Sequence, residues 1–307
     1  MWNYIFKRLL IAIPTLLVII SLAFFMIRAA PGGPFDTDRA LPPQVEANLN
    51  AKYHLDEPLI KQYGRYLWDV LRGDFGPSFQ YRDFTVNELI ASGFPVSLRI
   101  GLSAILIALF IGGTLGIIAA LKQNSLVDHG VMTLAMTGIS VPNFVVAPLL
   151  ILGVAVHLKW LPAGGWDNGN FANTILPTIS LALLQVAFIA RITRASMIEV
   201  LRSNYIRTAR AKGLSSWKVI TRHALKPALL PVVSYLGPAA AGVITGSVVI
   251  EQIYGIPGLG RYFVQGALNR DYTLVMGVVI FYGVLIIAFN LIVDVLYALL
   301  DPKVRYS

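Results

Sequence analysis

Side chains that carry catalytic chemistry are scarce in this sequence, and none stands in the spacing of a known catalytic motif. The 307 residues contain no H-E-x-x-H, no G-x-S-x-G and no phosphate loop of the G-x-x-x-x-G-K-[ST] type. There are no cysteines, so a thiolate metal site is impossible. We therefore predict no enzyme, no metal site and no cofactor bound by this chain. Any energy from a nucleotide must enter through another polypeptide.

Three titratable residues come close to the ends of long apolar runs: His157, Glu251 and Asp294. Ion-coupled transporters place carboxylates, His or Lys inside their spans to carry protons or sodium. The interiors of the apolar runs hold almost none here, so a self-sufficient secondary transporter is disfavoured, and we expect these three residues at the membrane interface. Asn290 precedes Asp294 by one helical turn, so that pair is expected to share a helix face.

The strongest charge feature is a basic segment over residues 191–226, which has nine Lys or Arg against a single acid, Glu199. Its net charge of +8 accounts for nearly all of the chain's +9. Basic residues gathered between apolar runs are typical of membrane topology, which argues against nucleic acid as a partner. Charge alone fits two roles equally well: a docking element for another protein, or basic helices lying on anionic membrane lipid.

Local signals divide the basic segment into two short helices joined at a glycine. Residues 203–204 supply a polar cap for a helix over 205–212, and Gly213 stands where a left-handed C-terminal cap belongs. Serines that precede a second helix over 217–225 can cap it, and we expect that helix to break before Pro227. The segment is therefore predicted to fold as a helix, a glycine corner and a helix.

The composition is that of an integral membrane protein. Hydrophobic residues make up 56% of the chain and charged residues 13%, and the mean hydropathy is +0.67. Soluble domains contain roughly a quarter charged residues, so lipid must be the solvent for much of this chain. A hydrocarbon layer needs about 20 apolar residues of helix, which predicts an all-α fold with six spans. The predicted spans are 9–27, 100–121, 131–156, 174–190, 227–250 and 272–293.

Charge bias sets the expected orientation of these spans. Lys7 and Arg8 precede the first span, which places the N-terminus in the cytoplasm by the positive-inside rule. Six spans then return the C-terminus to the cytoplasm and place the basic segment there as well. The first apolar run is longer than the core of a signal peptide, so an uncleaved span is favoured over a cleaved leader. Residues 28–99 are expected outside as a small folded cap.

Two features refine this picture of cap and spans. The cap shows helical periodicity over 44–53 and 59–71, followed by glycines at 73 and 76 that are expected to form a turn. Glycines also recur at four-residue spacing within spans, at 112 and 116 and at 242 and 246, which predicts tight packing inside one bundle. Prolines expected to kink the spans are Pro142, Pro148, Pro177, Pro231 and Pro238.

The basic segment resembles the cytoplasmic signature of ABC-importer permeases, the E-A-A-x-x-x-G motif. Arg207, Thr208 and Ala209 stand at its first three positions and Gly213 at its last, so Arg replaces Glu and Thr replaces the first Ala. The form R-T-A-R-A-K-G-L, followed by R-H-A-L-K-P-A-L-L-P at 222–231, is similar to the peptide and nickel branch of these permeases. The resemblance implies a coupling helix that docks into an ATPase subunit. Its candidate residues are Tyr205, Arg207, Thr208, Ala209, Arg210, Ala211, Lys212 and Gly213.

The resemblance extends along nearly the whole chain. Further matching stretches are R-A-A-P-G-G-P-F at 28–35, A-K-Y-H-L-D at 51–56, G-D-F-G-P-S-F at 73–79, F-P-V-S at 94–97, E-Q-I-Y-G-I-P-G-L-G at 251–260 and A-L-N-R-D-Y at 267–272. Within the branch, the chain is most similar to oligopeptide-importing inner-membrane subunits. The implied fold is the six-span transmembrane domain of a type I ABC importer, with the cap outside and the coupling helix in the cytoplasm.

An importer of this kind implies a set of partners. They are a second homologous permease subunit, two cytoplasmic ATPase subunits that bind ATP and Mg²⁺, and an extracytoplasmic peptide-binding protein. The implied location is the bacterial inner membrane, where the chain would form half of the pathway. Spans with few fixed charges would tolerate many peptide sequences and leave selectivity to the binding protein. Dipeptide, glutathione, murein-peptide and nickel import stay open as alternatives within the same class, and the sequence predicts no substrate-contacting residue.

Overall fold

The computed structural model describes residues 2–29, 33, 44, 48, 50–51, 53–81 and 83–300. Within these ranges the chain is helical, and the extended pairing is limited to an isolated antiparallel bridge between Pro77 and Thr85. The predicted all-α class is confirmed. Half of the residues in the helix predicted over 44–53 lie outside the described residues, whereas the helix predicted over 59–71 is present with those bounds.

The helices are named here in chain order. They are α1 (Trp2–Ala29), α2 (Leu59–Leu71), α3 (Val86–Leu121), α4 (Leu126–Ser140), α5 (Asn143–Leu150), α6 (Phe171–Leu201), α7 (Asn204–Ala211), α8 (Ser216–Lys218), α9 (Leu225–Ala228), α10 (Leu230–Gly246), α11 (Val248–Tyr254), α12 (Leu259–Leu268) and α13 (Tyr272–Leu300). Two π-helical turns, Ile151–His157 and Val219–Ala224, and a 3₁₀ turn, Asp167–Gly169, lie between them.

Four helices in the described ranges are long and apolar enough to cross a membrane: α1, α3, α6 and α13. Two bent pairs also pass the same test together. Leu126–Ser140 and Asn143–His157 meet at 102°, and Ser216–Ala228 and Leu230–Thr245 meet at 47°. Counting each bent pair as one span gives six, which is the predicted number. The predicted span 174–190 lies inside α6, which continues to Leu201.

Pro142 and Pro231, two of the prolines predicted to kink the spans, lie at the two bends. Pro142 is the N-cap of α5, at the sharper bend. The break expected before Pro227 is wrong, because that proline lies inside α9 and the chain bends after it, where α10 begins with Leu230 and Pro231. The π-helical turn Val219–Ala224 leads directly into α9, so the helix continues through Pro227.

The described chain divides into two compact units, of which the first comprises residues 97–256 and 286–300. In this unit α6 packs against α4, α5 and α10. A Cβ on Gly112 would lie 2.7 Å from the carbonyl oxygen of Val186, and one on Gly116 would lie 2.5 Å from that of Ala190. This pair therefore packs as tightly as predicted, with α3 directly against the α6 backbone. A Cβ on Gly242 would have no neighbouring atom within 4 Å, so the predicted tight packing is absent at that glycine.

The second unit comprises residues 2–96 and 257–285. Its core includes Phe24 of α1, Tyr66 of α2, and Tyr272 and Met276 of α13. A fully buried carboxylate, Asp271, organises the loop before α3: it accepts hydrogen bonds from the Ser78 hydroxyl and from the backbone N–H groups of residues 79 and 80. The glycines at 73 and 76 have φ of +78° and +86°, which confirms the predicted turn.

The packing of α3 on α6 predicts that Gly116→Ala destabilises the protein whereas Gly113→Ala does not. The new methyl group at 116 would overlap the Ala190 carbonyl, and overpacking of this kind costs about 1–3 kcal/mol. Gly113, on the same helix, has nothing within 4 Å, and alanine is favoured over glycine in helices by about 1 kcal/mol. Thermal unfolding of the purified variants measures the difference. Equal unfolding midpoints would contradict the described packing.

Candidate functional site

The basic segment is organised around α7, a two-turn helix whose inner face is buried. Ile206 is fully buried and Ala209 is 7% exposed. They belong to one apolar cluster with Ala120 at the end of α3, Met197 of α6 and Val219 of the π-helical turn. The three-residue spacing of Ile206 and Ala209 places both on one helix face. Burial of that face fixes α7 against its neighbours and determines which side chains point outward.

The C-terminal end of α7 is closed by a glycine cap. Gly213 has φ +78°, in the left-handed region. Its N–H donates to the carbonyl of Arg210 at 2.9 Å, and the N–H of Leu214 donates to the carbonyl of Ala209 at 3.3 Å. This is the Schellman pattern, which Leu214 completes by packing against the apolar cluster. The predicted helix and glycine corner are therefore present. A side chain at residue 213 would cost about 1–2 kcal/mol because φ is positive.

Short connections join α7 to the flanking helices. Only residues 202 and 203 separate the end of α6 from the start of α7. Ser203 is the N-cap residue, but its hydroxyl donates backward to the carbonyl of Val200 at 2.6 Å and does not cap α7. Thr208 donates to the carbonyl of Asn204 at 3.0 Å, within the helix. Because this connection is so short, a displacement of α7 would be passed to α6 almost directly.

The outer face of α7 is basic. Of the predicted site residues, Ala209 faces the core, whereas the other seven are exposed: Tyr205, Arg207, Thr208, Arg210, Ala211, Lys212 and Gly213. Trp217 in α8, which follows these residues in the sequence, is 75% exposed. Within the described part of the chain, no ion pair involves the three cations of this face. The arrangement offers cations, an aromatic ring and a small-residue surface to a partner that carries carboxylates.

An ion pair two turns before the end of α6 ties that helix to α4. Arg194 of α6 lies 2.5 Å from one carboxylate oxygen of Asp128 and 2.6 Å from the other, in a bidentate contact with the first turn of α4. Asp128 is 1% exposed and also accepts from the N–H of Asn124 at 2.8 Å. Arg191 lies with its guanidinium 5.4 Å from the Phe188 ring centre. Both arginines lie inside α6, which continues beyond the end of the predicted span at residue 190.

Glu251, which we expect at the membrane interface, is fully buried within the first unit. It accepts hydrogen bonds from the Ser97 hydroxyl at 2.6 Å and the Ser247 hydroxyl at 2.5 Å. Ser247 precedes Glu251 by one helical turn, whereas nothing in a single sequence marks Ser97, which is 154 positions away. His157 is exposed at the end of its π-helical turn.

The buried face of α7 predicts opposite outcomes for two neighbouring alanines. Ala209→Glu would put an unpaired carboxylate into the apolar cluster, which costs about 3–5 kcal/mol, so we expect a lower unfolding midpoint and a lower yield. Ala211→Glu makes the same chemical change on the exposed face and should change stability by about 0.5 kcal/mol or less. Thermal unfolding in detergent compares the two. Equal losses would show that Ala209 does not face the core.

Comparison with known proteins gives the family. The protein-family model described as binding-protein-dependent transport system inner membrane component matches residues 112–306. The chain is 60% identical to the oligopeptide transport system permease protein OppB of Salmonella typhimurium, over 100% of both chains. It is 47% identical to the dipeptide transport system permease protein DppB of Bacillus subtilis, over 99% of this chain and 98% of that one.

Solved structures agree on the fold. A chain from the crystal structure of an amino acid ABC transporter with histidines superposes with a TM-score of 0.55 at 17% identity, over 69% of this chain and 94% of that one. The inward-facing MetNI methionine ABC transporter gives the same TM-score and identity. The family match covers α7, its buried face and its glycine cap. The chain belongs to the family of binding-protein-dependent transport system inner membrane components.

Proposed function

We propose that the chain is the permease subunit of an ATP-driven importer and forms half of the translocation pathway for oligopeptides that an extracytoplasmic binding protein delivers. The full-length identity of 60% to a permease named for oligopeptide transport supports this substrate class. The remaining components would be a second homologous permease subunit and two cytoplasmic ATPase subunits. ATP and Mg²⁺ would be bound by those ATPase subunits and not by this chain.

The observation that carries the mechanism is the geometry of α7. Its buried face is held by Ile206 and Ala209, its outer face is basic, and two residues connect it to α6. An ATPase subunit that engages the outer face would move α7 as a rigid body when ATP binding closes the ATPase pair. The short links and the glycine cap would pass that movement to α6 on one side and to the bent α8–α10 span on the other.

The small number of ionisable groups in the spans suits a peptide substrate. Peptides share a backbone but differ in side chains, so fixed charges along the pathway would favour some sequences over others. Within the first unit, Asp128 is paired with Arg194, and Glu251 is held by two serines. Ionisable side chains engaged in this way hold helices together and leave selectivity to the binding protein.

Dipeptide import is the second candidate. It is favoured by the 47% identity to the Bacillus subtilis protein and by 41% identity to a dipeptide permease of Lactococcus lactis. A reconstituted importer supplied with its binding protein decides between the two. We expect ATP-dependent uptake of a tetrapeptide; uptake of dipeptides alone would favour the second candidate. Uptake that persists without ATP and stops when the proton gradient collapses would contradict both.

The exposed cations of α7 predict a defect in coupling. Reversing the charge in Arg207→Glu with Arg210→Glu should weaken recovery of the ATPase subunits with the permease about tenfold and reduce uptake correspondingly. A matched control, Lys61→Glu with Arg72→Glu, makes the same change in charge on the cap and should leave recovery unchanged. The assay uses nanodiscs of phosphatidylcholine. If the defect appears only when anionic lipid is added, α7 lies on lipid and the coupling role fails.

The inner membrane location and the proposed orientation predict the outcome of reporter fusions. A reporter that is active only in the cytoplasm should be active when fused at Trp217, next to α7. A reporter that requires export should be active when fused at Gln62 in α2. Both termini are proposed to be cytoplasmic. The reverse result at either position would overturn this topology, even if the permease still imports peptide.

A further inference from the structure

A hydrogen-bonded pair of polar side chains joins α6 to α10 within the first unit. The Tyr235 hydroxyl donates to Oε1 of Gln185 at 2.6 Å, and both residues are half-buried. Gln185 falls in the predicted span 174–190 and Tyr235 in the predicted span 227–250. Polar side chains in spanning helices usually face the interior of a bundle or a water-filled space, and they often mark a substrate pathway. The pair is therefore a candidate for a contact with substrate.

The direction of this hydrogen bond determines which atoms of the pair can still bind a ligand. Because the Tyr235 hydroxyl is the donor, its oxygen keeps lone pairs that can accept. Nε2 of Gln185 carries two N–H groups, and neither has an acceptor among the described residues. This nitrogen is not one of the fully buried unpaired atoms, so it keeps accessible surface. The pair thus presents one accessible donor group beside one acceptor.

The exposed face of α10 beside the pair differs from a surface that lipid covers. Its exposed residues follow a spacing of three and four, which places them on one side of the helix: Pro231, Ser234, Pro238 and Gly242. No large apolar side chain is exposed over the described residues 230–246. On α3 of the same unit, by contrast, Leu106 and Phe110 are 57% and 76% exposed. The α10 face therefore suits a water-filled space or another protein better than lipid.

A cation on α6 favours the water-filled space. Arg191 is exposed, and its guanidinium lies 5.4 Å from the centre of the Phe188 ring. The Phe188 ring in turn lies 5.8 Å from the ring of Tyr235, so Arg191 and the polar pair belong to one surface. No carboxylate of the described chain forms an ion pair with Arg191. Packing an unpaired guanidinium against a second subunit would be unfavourable, whereas a water-filled space keeps it hydrated.

The accessible donor and acceptor of the pair match the backbone of a peptide. Apart from proline, each residue of a peptide has one carbonyl that accepts and one N–H that donates. Nε2 of Gln185 can donate to such a carbonyl, and the Tyr235 oxygen can accept from such an N–H. The side chains of the peptide take no part in these two bonds. A contact of this kind is therefore tolerant of the peptide sequence.

We propose that Gln185 and Tyr235 bind the backbone of the transported peptide as it passes along the exposed face of α6 and α10. This inference rests on the proposed function for its ligand. The two helices are also those connected to α7: two residues join α7 to α6, and α10 belongs to the bent pair that starts at Ser216. A displacement of α7 would therefore change the separation of the two side chains and release the peptide.

Cysteine labelling tests whether peptide occupies this face. The chain has no cysteine, so Ser234→Cys places a single thiol next to Tyr235 in an importer whose other subunits are made free of cysteine. A water-soluble maleimide should label this thiol, because the reaction needs a hydrated thiolate. With ATP present, the binding protein loaded with tetraalanine should slow labelling about tenfold relative to the unloaded binding protein.

The matched control for labelling is Leu106→Cys on the exposed face of α3, which should stay unlabelled. Absence of labelling at residue 234, with and without ATP, would assign the α10 face to lipid or to the second permease subunit and overturn the proposal. Labelling that tetraalanine does not slow would overturn it as well.

Replacing the pair separates a ligand contact from a structural one. Gln185→Leu with Tyr235→Phe removes both polar groups and keeps similar shapes, so the unfolding midpoint should change little. ATP-driven tetraalanine uptake should nevertheless fall about tenfold. Tyr254→Phe removes a hydroxyl that pairs with Ser180 at 2.9 Å in the same unit and should leave uptake unchanged. Normal uptake in the double variant, or a loss that follows a lowered unfolding midpoint, would overturn the proposal.

Recognition of the backbone also predicts equal losses for peptides with different side chains. In the double variant, uptake of tetraalanine and of tetraserine through the same binding protein should fall by the same factor. A loss confined to one of the two peptides would assign the contact to peptide side chains and contradict the proposed backbone contact.

Failure of this inference can be told apart from failure of the proposed function. If the unmodified importer takes up tetraalanine with ATP but the peptide does not slow labelling at residue 234, the site is wrong and the importer stands. If the peptide slows labelling with the expected dependence on Gln185 and Tyr235 but no ATP-driven uptake occurs, the site is supported and the transport proposal is wrong.

Discussion

Burial of the inner face of α7 is the constraint on which the functional surface depends. Ile206 and Ala209 enter one apolar cluster with the end of α3, with α6 and with the π-helical turn. A two-turn helix is marginal in isolation, so this packing supplies most of its stability. Because the inner face is fixed, Arg207, Arg210 and Lys212 point away from the protein without any need to be held individually. A rigid and basic surface follows from a small apolar contact.

Other contacts in the first unit connect the apolar cluster under α7 to the long helices. Helix α6 runs without interruption from Phe171 to Leu201, and its Arg194 forms an ion pair with Asp128 on α4. The glycine at 116 brings the α3 backbone against α6 near the same level. Ion pairs and close backbone contacts have discrete arrangements, so a small displacement of α7 would be passed along helices and not absorbed by loose side chains.

Features governed by local chemistry were predictable from the sequence. The left-handed position of Gly213, the bounds of the helix over 59–71 and the number of apolar segments all follow from neighbouring residues. The inward direction of Ala209 also has a local signal, since Ile206 precedes it by three residues in an otherwise polar helix. The resemblance marks residues 205–213 as a single motif and does not separate its buried member from the exposed ones.

What the sequence could not provide depends on residues far apart in the chain. The burial of Glu251 depends in part on Ser97, which donates to it from 154 positions away. Pro227 is typical of a helix end, but it lies inside α9 and the bend follows it.

The central claim is that the outer face of α7 contacts an ATPase subunit, and cross-linking tests it most directly. The chain contains no cysteine, so a single cysteine can be placed without altering the background. A thiol-to-amine cross-linker on Ala211→Cys, applied to the assembled importer, is expected to join the permease to the ATPase subunit, whereas Ile60→Cys on the exposed face of α2 is expected to give no such product. Absence of the product at residue 211, or equal amounts at both positions, would contradict the account.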